Sequence, residues 1–165
     1  MNKLPKVKAS KGQIPKSLAT DYEEPCFHKI ATEIIADSEE FVPKYQTDNS
    51  SCVDLVANMA PNVHGNNEVA LPHRATVVID CGFSMAIPKG YVGMMSVNSK
   101  YGNRGLIVTD APKTIDSDYR GRIQAIVTNV GKEIIVIKHG DKFAQMRIQP
   151  VYRFDWNKVS DLIGV

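Results

Sequence analysis

The chain has 165 residues, 43% of them hydrophobic and 23% charged, with a formal net charge of +2. That length suits one domain with a proper core, no apolar run is long enough to span a membrane, and the near-neutral charge gives no argument for nucleic acid as a partner. Cys26, Cys52 and Cys81 stand 26 and 29 residues apart; an odd set without a CxxC pair is neither a disulfide framework nor a metal site, and reduced, partly buried thiols are expected.

Residues 1–16 hold Lys3, Lys6, Lys8, Lys11 and Lys16 and no acid. Like charge with low hydrophobicity predicts a basic, solvated arm over residues 1–27, although such an arm could also touch phosphates or a partner. The N-terminus has no apolar stretch of signal-peptide type, so an intracellular, cytoplasmic location is expected. A β domain is expected over residues 28–165. Ile30, Thr32, Ile34 and Ala36 alternate as in a strand. "VPKYQTDNSS" is an irregular connection, "CVDLVANM" a short strand with one acid inside it, and "PNVHGNNE" a loop. Short β-branched runs follow: "VALPHRATVVID", "FSMAIP", "YVGMMSV", "GLIVTD", "RIQAIVTN", "EIIVIK" and "KFAQMRIQPV". Turn residues separate them, among them Pro88-Lys89-Gly90, Gly102-Asn103 and His139-Gly140-Asp141. Many short strands with regular turns and little helix predict an all-β barrel or sandwich.

Few residues break the alternation. Asp54 lies between Val53 and Leu55, and Gln145 lies between Ala144 and Met146; either could be a solvent-facing polar residue or a paired one. His28, His64, His73 and His139 are scattered without HxH or HExxH spacing, which does not suit a histidine metal site. There is no phosphate loop, GxGxxG or GxSxG. What remains is "TIDSDYRG", residues 114–121. On composition alone Asp116-Ser117-Asp118 reads first as a polar turn; the alternative is a site in which a carboxylate acts as base beside a tyrosine face.

The same stretch resembles the third motif of the trimeric dUTPases, [VL]-I-D-x-D-Y-x-G. "VPKYQTDNSSCVDLVA" resembles their first motif, "HGDKFAQM" their fourth, and "AIPKGYVGMMSV" the strand-turn-strand before their second, with the step from Gly105 to Asp116 also fitting. The resemblance spans residues 42–162. It implies a jelly-roll β-barrel, a homotrimer with sites between subunits, and Mg²⁺-assisted hydrolysis of dUTP to dUMP and pyrophosphate. Asp116 would activate the water, and Tyr119 would pack on the deoxyribose and exclude a 2′-hydroxyl. A hairpin over residues 108–115, with Asp110, Thr114 and Ile115, would read the uracil. Asn98, Ser99, Arg104, Gln124 and Gln145 would complete the nucleotide contacts, and Asp54 would reach the metal through water.

Two departures accompany the resemblance. In "SVNSKYGNRG" Val97 stands at the second motif's arginine and Asn98 at its first serine, while Ser99, Arg104 and Gly105 fit; Lys100 or Arg104 could compensate. The fifth motif, an Arg- and Gly-rich arm, has no counterpart, and Asp110 stands where some relatives carry asparagine. One lost transition-state contact costs about 2.7–4 kcal/mol. The resemblance therefore leaves two readings, a slow or altered-specificity dUTP pyrophosphatase and a nucleotide- or protein-binding module on the same fold. The related deaminase branch requires an R-S-S-x-A-R block that this sequence lacks.

Overall fold

The computed structural model describes residues 29–162; the expected arm over residues 1–27, together with Cys26 and His28, lies outside them. Along the described residues run strands β1 (Glu33–Ala36), β2 (Val53–Val56), β3 (Glu68–Leu71), β4 (Thr76–Ala86), β5 (Tyr91–Val97), β6 (Leu106–Val108), β7 (Lys113–Ile115), β8 (Arg122–Asn129), β9 (Ile135–Lys138) and β10 (Lys142–Pro150). A 3-10 turn (Glu39–Phe41) and a single-turn helix α1 (Ser99–Gly102) are the helical elements. Two four-stranded sheets, ordered β1-β4-β8-β6 and β2-β10-β5-β7, accompany a β3-β9 pair. Every pairing is antiparallel. Their inward side chains, including Leu55, Ile79, Phe83, Met95, Ile123 and Phe143, form one core cluster. The expected all-β architecture is the observed one. Among the described residues no helix is long and apolar enough to cross a membrane.

Period-two alternation explains β8 directly: Ile123, Ala125, Val127 and Asn129 point inward and the residues between them outward. Asn129 is a buried amide that keeps its place by full pairing. It donates to the carbonyls of Leu71 (2.7 Å) and Glu133 (2.8 Å) and accepts from the Gly131 amide (2.9 Å).

Three sequence expectations change. "VALPHRATVVID" is not one strand: Pro72, which has no amide hydrogen, ends β3, and the chain turns through Arg74 (φ 67°) into β4. "FSMAIP" is not a separate strand either. It continues β4 through a bulge between Asp80 and Ser84, where Gly82 takes φ 79°. Finally, residues 108–115 are not a paired hairpin. β6 pairs with β8 in one sheet and β7 with β5 in the other, so residues 109–112 carry the chain between sheets.

Candidate functional site

β7 delivers Asp116. Its last residue, Ile115, is buried and pairs with Gly93 of β5, and Asp116 then opens a tight turn closed by the Tyr119 amide on the Asp116 carbonyl (3.1 Å). Arg120 stitches that turn from outside, donating from Nη1 to the carbonyls of Ser117 (2.7 Å) and Tyr119 (2.8 Å). The Tyr119 hydroxyl donates to the Arg122 carbonyl at 2.9 Å. Its ring lies against Gly121, where a β-carbon would come within 2.5 Å of the hydroxyl oxygen. Tyr119 is thus fixed at its far end while 45% of its surface stays open.

The turn borders a cleft of about 460 Å³ lined by Thr114, Ile115, Asp116, Tyr119 and Gln124, together with Val78 and Ile126. Those two apolar residues are cross-strand partners on β4 and β8. The cleft therefore offers a carboxylate, an aromatic face, an amide and an apolar surface. Such a mixture suits a nucleoside.

At the cleft's rim Arg122 is gripped by two carboxylates. Its Nη1 and Nη2 donate to Asp37 Oδ1 (2.7 Å) and Oδ2 (2.6 Å), while its Nε and Nη2 donate to Asp80 Oδ2 (3.1 Å) and Oδ1 (2.7 Å). Hydrogen bonds from Arg122 hold the Asp37 carboxyl below its ordinary range. For Asp80 burial pushes upward, but the bonds from Arg122 and from the Gly82 amide outweigh it, and the net direction is down. Hydrogen bonding to Asp37 and then Asp80 raises Arg122 itself, so it stays cationic. The sequence reading missed this trio, although Asp80 interrupts an apolar strand just as Asp54 does.

A second polar cluster lies elsewhere on the β2-β10-β5-β7 sheet. Asp54, Gln145 and Ser96 share one register across β2, β10 and β5, and Gln145 Nε2 donates to Ser96 Oγ at 3.3 Å. Lys142 approaches from the end of the row, 3.5 Å from Asp54 Oδ2 and 2.7 Å from Gln46 Oε1. Ser96 is three residues past Gly93, about 10 Å along β5 from the level of Ile115, and Gln145 and Asp54 stand one and two strands farther off. Within one chain the row and the cleft do not meet.

The remaining expected residues are scattered. Asn98 caps α1, accepting from the Tyr101 amide (3.3 Å) and donating to the Lys142 carbonyl, so both ends of its amide have protein partners. Ser99 begins that helix. Arg104 donates from Nη2 to the Ile134 carbonyl (3.2 Å), and Lys100 sits 5.1 Å from the Tyr101 ring centre. Tyr101 is buried and donates to Asp141 (2.7 Å); burial and that bond raise its phenol. Asp110 pairs with Lys113 at 2.9 Å. Val97 packs against the core.

The dUTPase family profile matches residues 42–163. The chain belongs to the dUTPase family. It is 38% identical over 122 residues to the deoxyuridine 5'-triphosphate nucleotidohydrolase of Ehrlichia canis, covering 73% of this chain and 76% of that one. With the Aquifex aeolicus enzyme of the same name it shares 36% identity over 115 residues, covering 69% and 73%. A dUTPase of phage phi11 of S. aureus, solved to show coordination of a structural Mg(II) ion, superposes with a TM-score of 0.68 at 20% identity, covering 82% of this chain and all of that one. The dUTPase of Staphylococcus bacteriophage 80alpha with dUPNHPP gives 0.67 at 18%, covering 83% and 92%. These superpositions establish the dUTPase fold here. Against the family pattern, the Asp116–Tyr119 turn is complete, whereas the second-motif positions serve packing and capping.

Proposed function

We propose that the protein hydrolyses dUTP to dUMP and pyrophosphate, with the deoxyuridine in the cleft beside the Asp116 turn. The observation that carries this is the fixed pairing of Asp116 and Tyr119 beside one cleft in a dUTPase-family chain. A carboxylate oxygen of Asp116 takes a proton from water as the water oxygen attacks the α-phosphorus, and the bond from that phosphorus to the α–β bridging oxygen breaks to release pyrophosphate. Tyr119 lies along the deoxyribose, where a 2′-hydroxyl would need the space its ring fills. Main-chain groups around Thr114 and Ile115, with Gln124 and Asp110, are the candidates for reading uracil.

Asp54 and Gln145, paired across β2 and β10, carry oxygens, hard donors suited to Mg²⁺ held through water. Among the described residues no three His, Cys, Asp or Glu side chains converge as a metal site, so the phosphates would carry most of the coordination. When bound, the ion supplies positive charge to the phosphates and the departing pyrophosphate. Ser99 joins the proposed nucleotide contacts, and Asn98 and Arg104 do so only if their present partners are exchanged.

The reading includes a homotrimer whose sites combine the cleft of one subunit with the Asp54-Gln145-Ser96 row of another. It is supported by the distance between the two clusters and by exposed apolar groups such as Ile35 (79%) and Trp156 (82%). A cytoplasmic location accompanies it, in keeping with the free thiols of Cys52 and Cys81.

The engaged Asn98 amide and the core-packed Val97 favour a second reading, a nucleotide-binding module with little turnover. Pyrophosphate release from a panel of deoxynucleoside triphosphates with Mg²⁺ separates the two. We expect dUTP turnover that falls about 10²–10⁴-fold in Asp116→Asn. Retained, uncleaved nucleotide without pyrophosphate would support the binding module instead.

A further inference from the structure

We propose that Arg122 is a positioning residue for the sugar wall of the cleft, set by Asp37 and Asp80 and acting on Tyr119 through its main-chain carbonyl. The inference rests on the dUTP reading above. Arg122 opens β8 directly after the turn, a place where strand ends fray. The β4–β8 ladder is regular up to Asp80 and Gln124, then broken by the bulge, and resumes at Ser84 and Arg122. The ladder is thus weakest where the Tyr119 hydroxyl finds its acceptor.

Side chains make up for that gap. Asp80 sits on one lip of the bulge, with its Oδ1 held at 2.5 Å by the Gly82 amide. Asp37 follows β1; its amide donates to the Gly82 carbonyl (2.9 Å), and its Oδ2 accepts from Asn58 (2.7 Å). Both carboxylates are tied to the scaffold before they grip Arg122. The side chains of Arg122, Asp37 and Asp80 remain 37%, 47% and 25% exposed. Ion pairs so open to water add little to stability, and fixing geometry is the more substantial effect. Asp80 also accepts from Gln124 Nε2 (3.4 Å), which leaves the Gln124 amide oxygen for the cleft.

A double-mutant cycle tests this. Tyr119→Phe removes the hydroxyl that reaches the Arg122 carbonyl, and Arg122→Met removes the grip. For each variant and for the pair, kcat/KM is measured with dUTP and UTP, alongside Tm. Each single change is expected to lower dUTP-over-UTP selectivity about tenfold, and the double variant no further, as for residues coupled in one network. Arg122→Lys, with a charge but no fork, should behave like Arg122→Met. Should Arg122→Met not fold, Asp37→Asn weakens the grip from its solvent side and takes its place in the cycle. Additive losses, or a changed Tm with unchanged selectivity, would overturn the proposal alone. Wild-type protein that neither turns over dUTP nor binds its non-hydrolysable imido analogue overturns the dUTP reading and this proposal with it.

Discussion

Gly121 leaves room for Tyr119, and the absence of a side chain there is a steric requirement for the position of its ring. A β-carbon would fall 2.5 Å from the phenol oxygen and 2.7 Å from the ring carbon that bears it, and Gly121→Ala should push the ring into the cleft. The expected result is a KM for dUTP raised about tenfold with Tm shifted little, because the residue is exposed and outside the core; steady-state kinetics beside thermal melts would check it. Cys81 makes a contrasting prediction. Burial, and then the charge of Asp80, push its thiol from 9.0 up to about 12. A native Cys26→Ser protein at about pH 8 should release one fast thiol to a disulfide reagent, from Cys52, and a second only on unfolding. Because the raised thiol is neutral when folded, its contribution to stability is intact below pH 9.0 and declines as pH rises beyond it. The juxtaposition of Asp116 and Tyr119 was legible in the order of residues, since a tight turn keeps its side chains within four consecutive positions. Asp37, Asp80 and Arg122 were not. They come from three separated stretches, Asp37 just after β1, Asp80 inside β4 and Arg122 at the start of β8, and no one of them alone points to the others.

A strand with one buried face, such as β8, was readable from alternation because burial imposes a period of two. Alternation does not name a strand's partner, which is why residues 108–115 read as a hairpin when their two halves belong to different sheets. Nor does it show a bulge: "VALPHRATVVID" and "FSMAIP" read as separate runs, yet Gly82 at φ 79° carries β4 on, and Phe41 occupies the space a side chain there would need. The grip on Arg122, which joins β1, β4 and β8, has a pH signature of definite sign. Asp37 and Asp80 titrate below 3.8 when folded and at 3.8 when unfolded. Their contribution is therefore complete above 3.8 and fades as pH falls through the lower folded values. Wild type should be more stable than Arg122→Met at about pH 6, with the gap closing below 3.8. Urea melts across that range would measure it, and a gap independent of pH would argue against the grip as drawn.

At the scale of the molecule, the all-β class followed from the density of short strands and turns, and the core is built as that class requires. The strand order did not follow, because β2, β10, β5 and β7 are neighbours in space but not in sequence. That order leaves the Asp116 cleft and the Asp54-Gln145-Ser96 row apart on one chain, and it leaves Tyr152, Phe154 and Trp156 exposed, the last two with ring centres 4.8 Å apart. Sedimentation should give three times the chain mass of 18.2 kDa. The separation also has a genetic consequence. An Asp116→Asn chain spoils only the cleft it carries and a Gln145→Ala chain only its row, so two inactive proteins refolded together should recover activity in mixed assemblies that pair an intact cleft with an intact row. A chain carrying both changes, expressed in excess over wild type, should act as a dominant poison, whereas either single change should not; if both halves of the site came from one chain, mixing would rescue nothing and the doubly changed chain would not interfere.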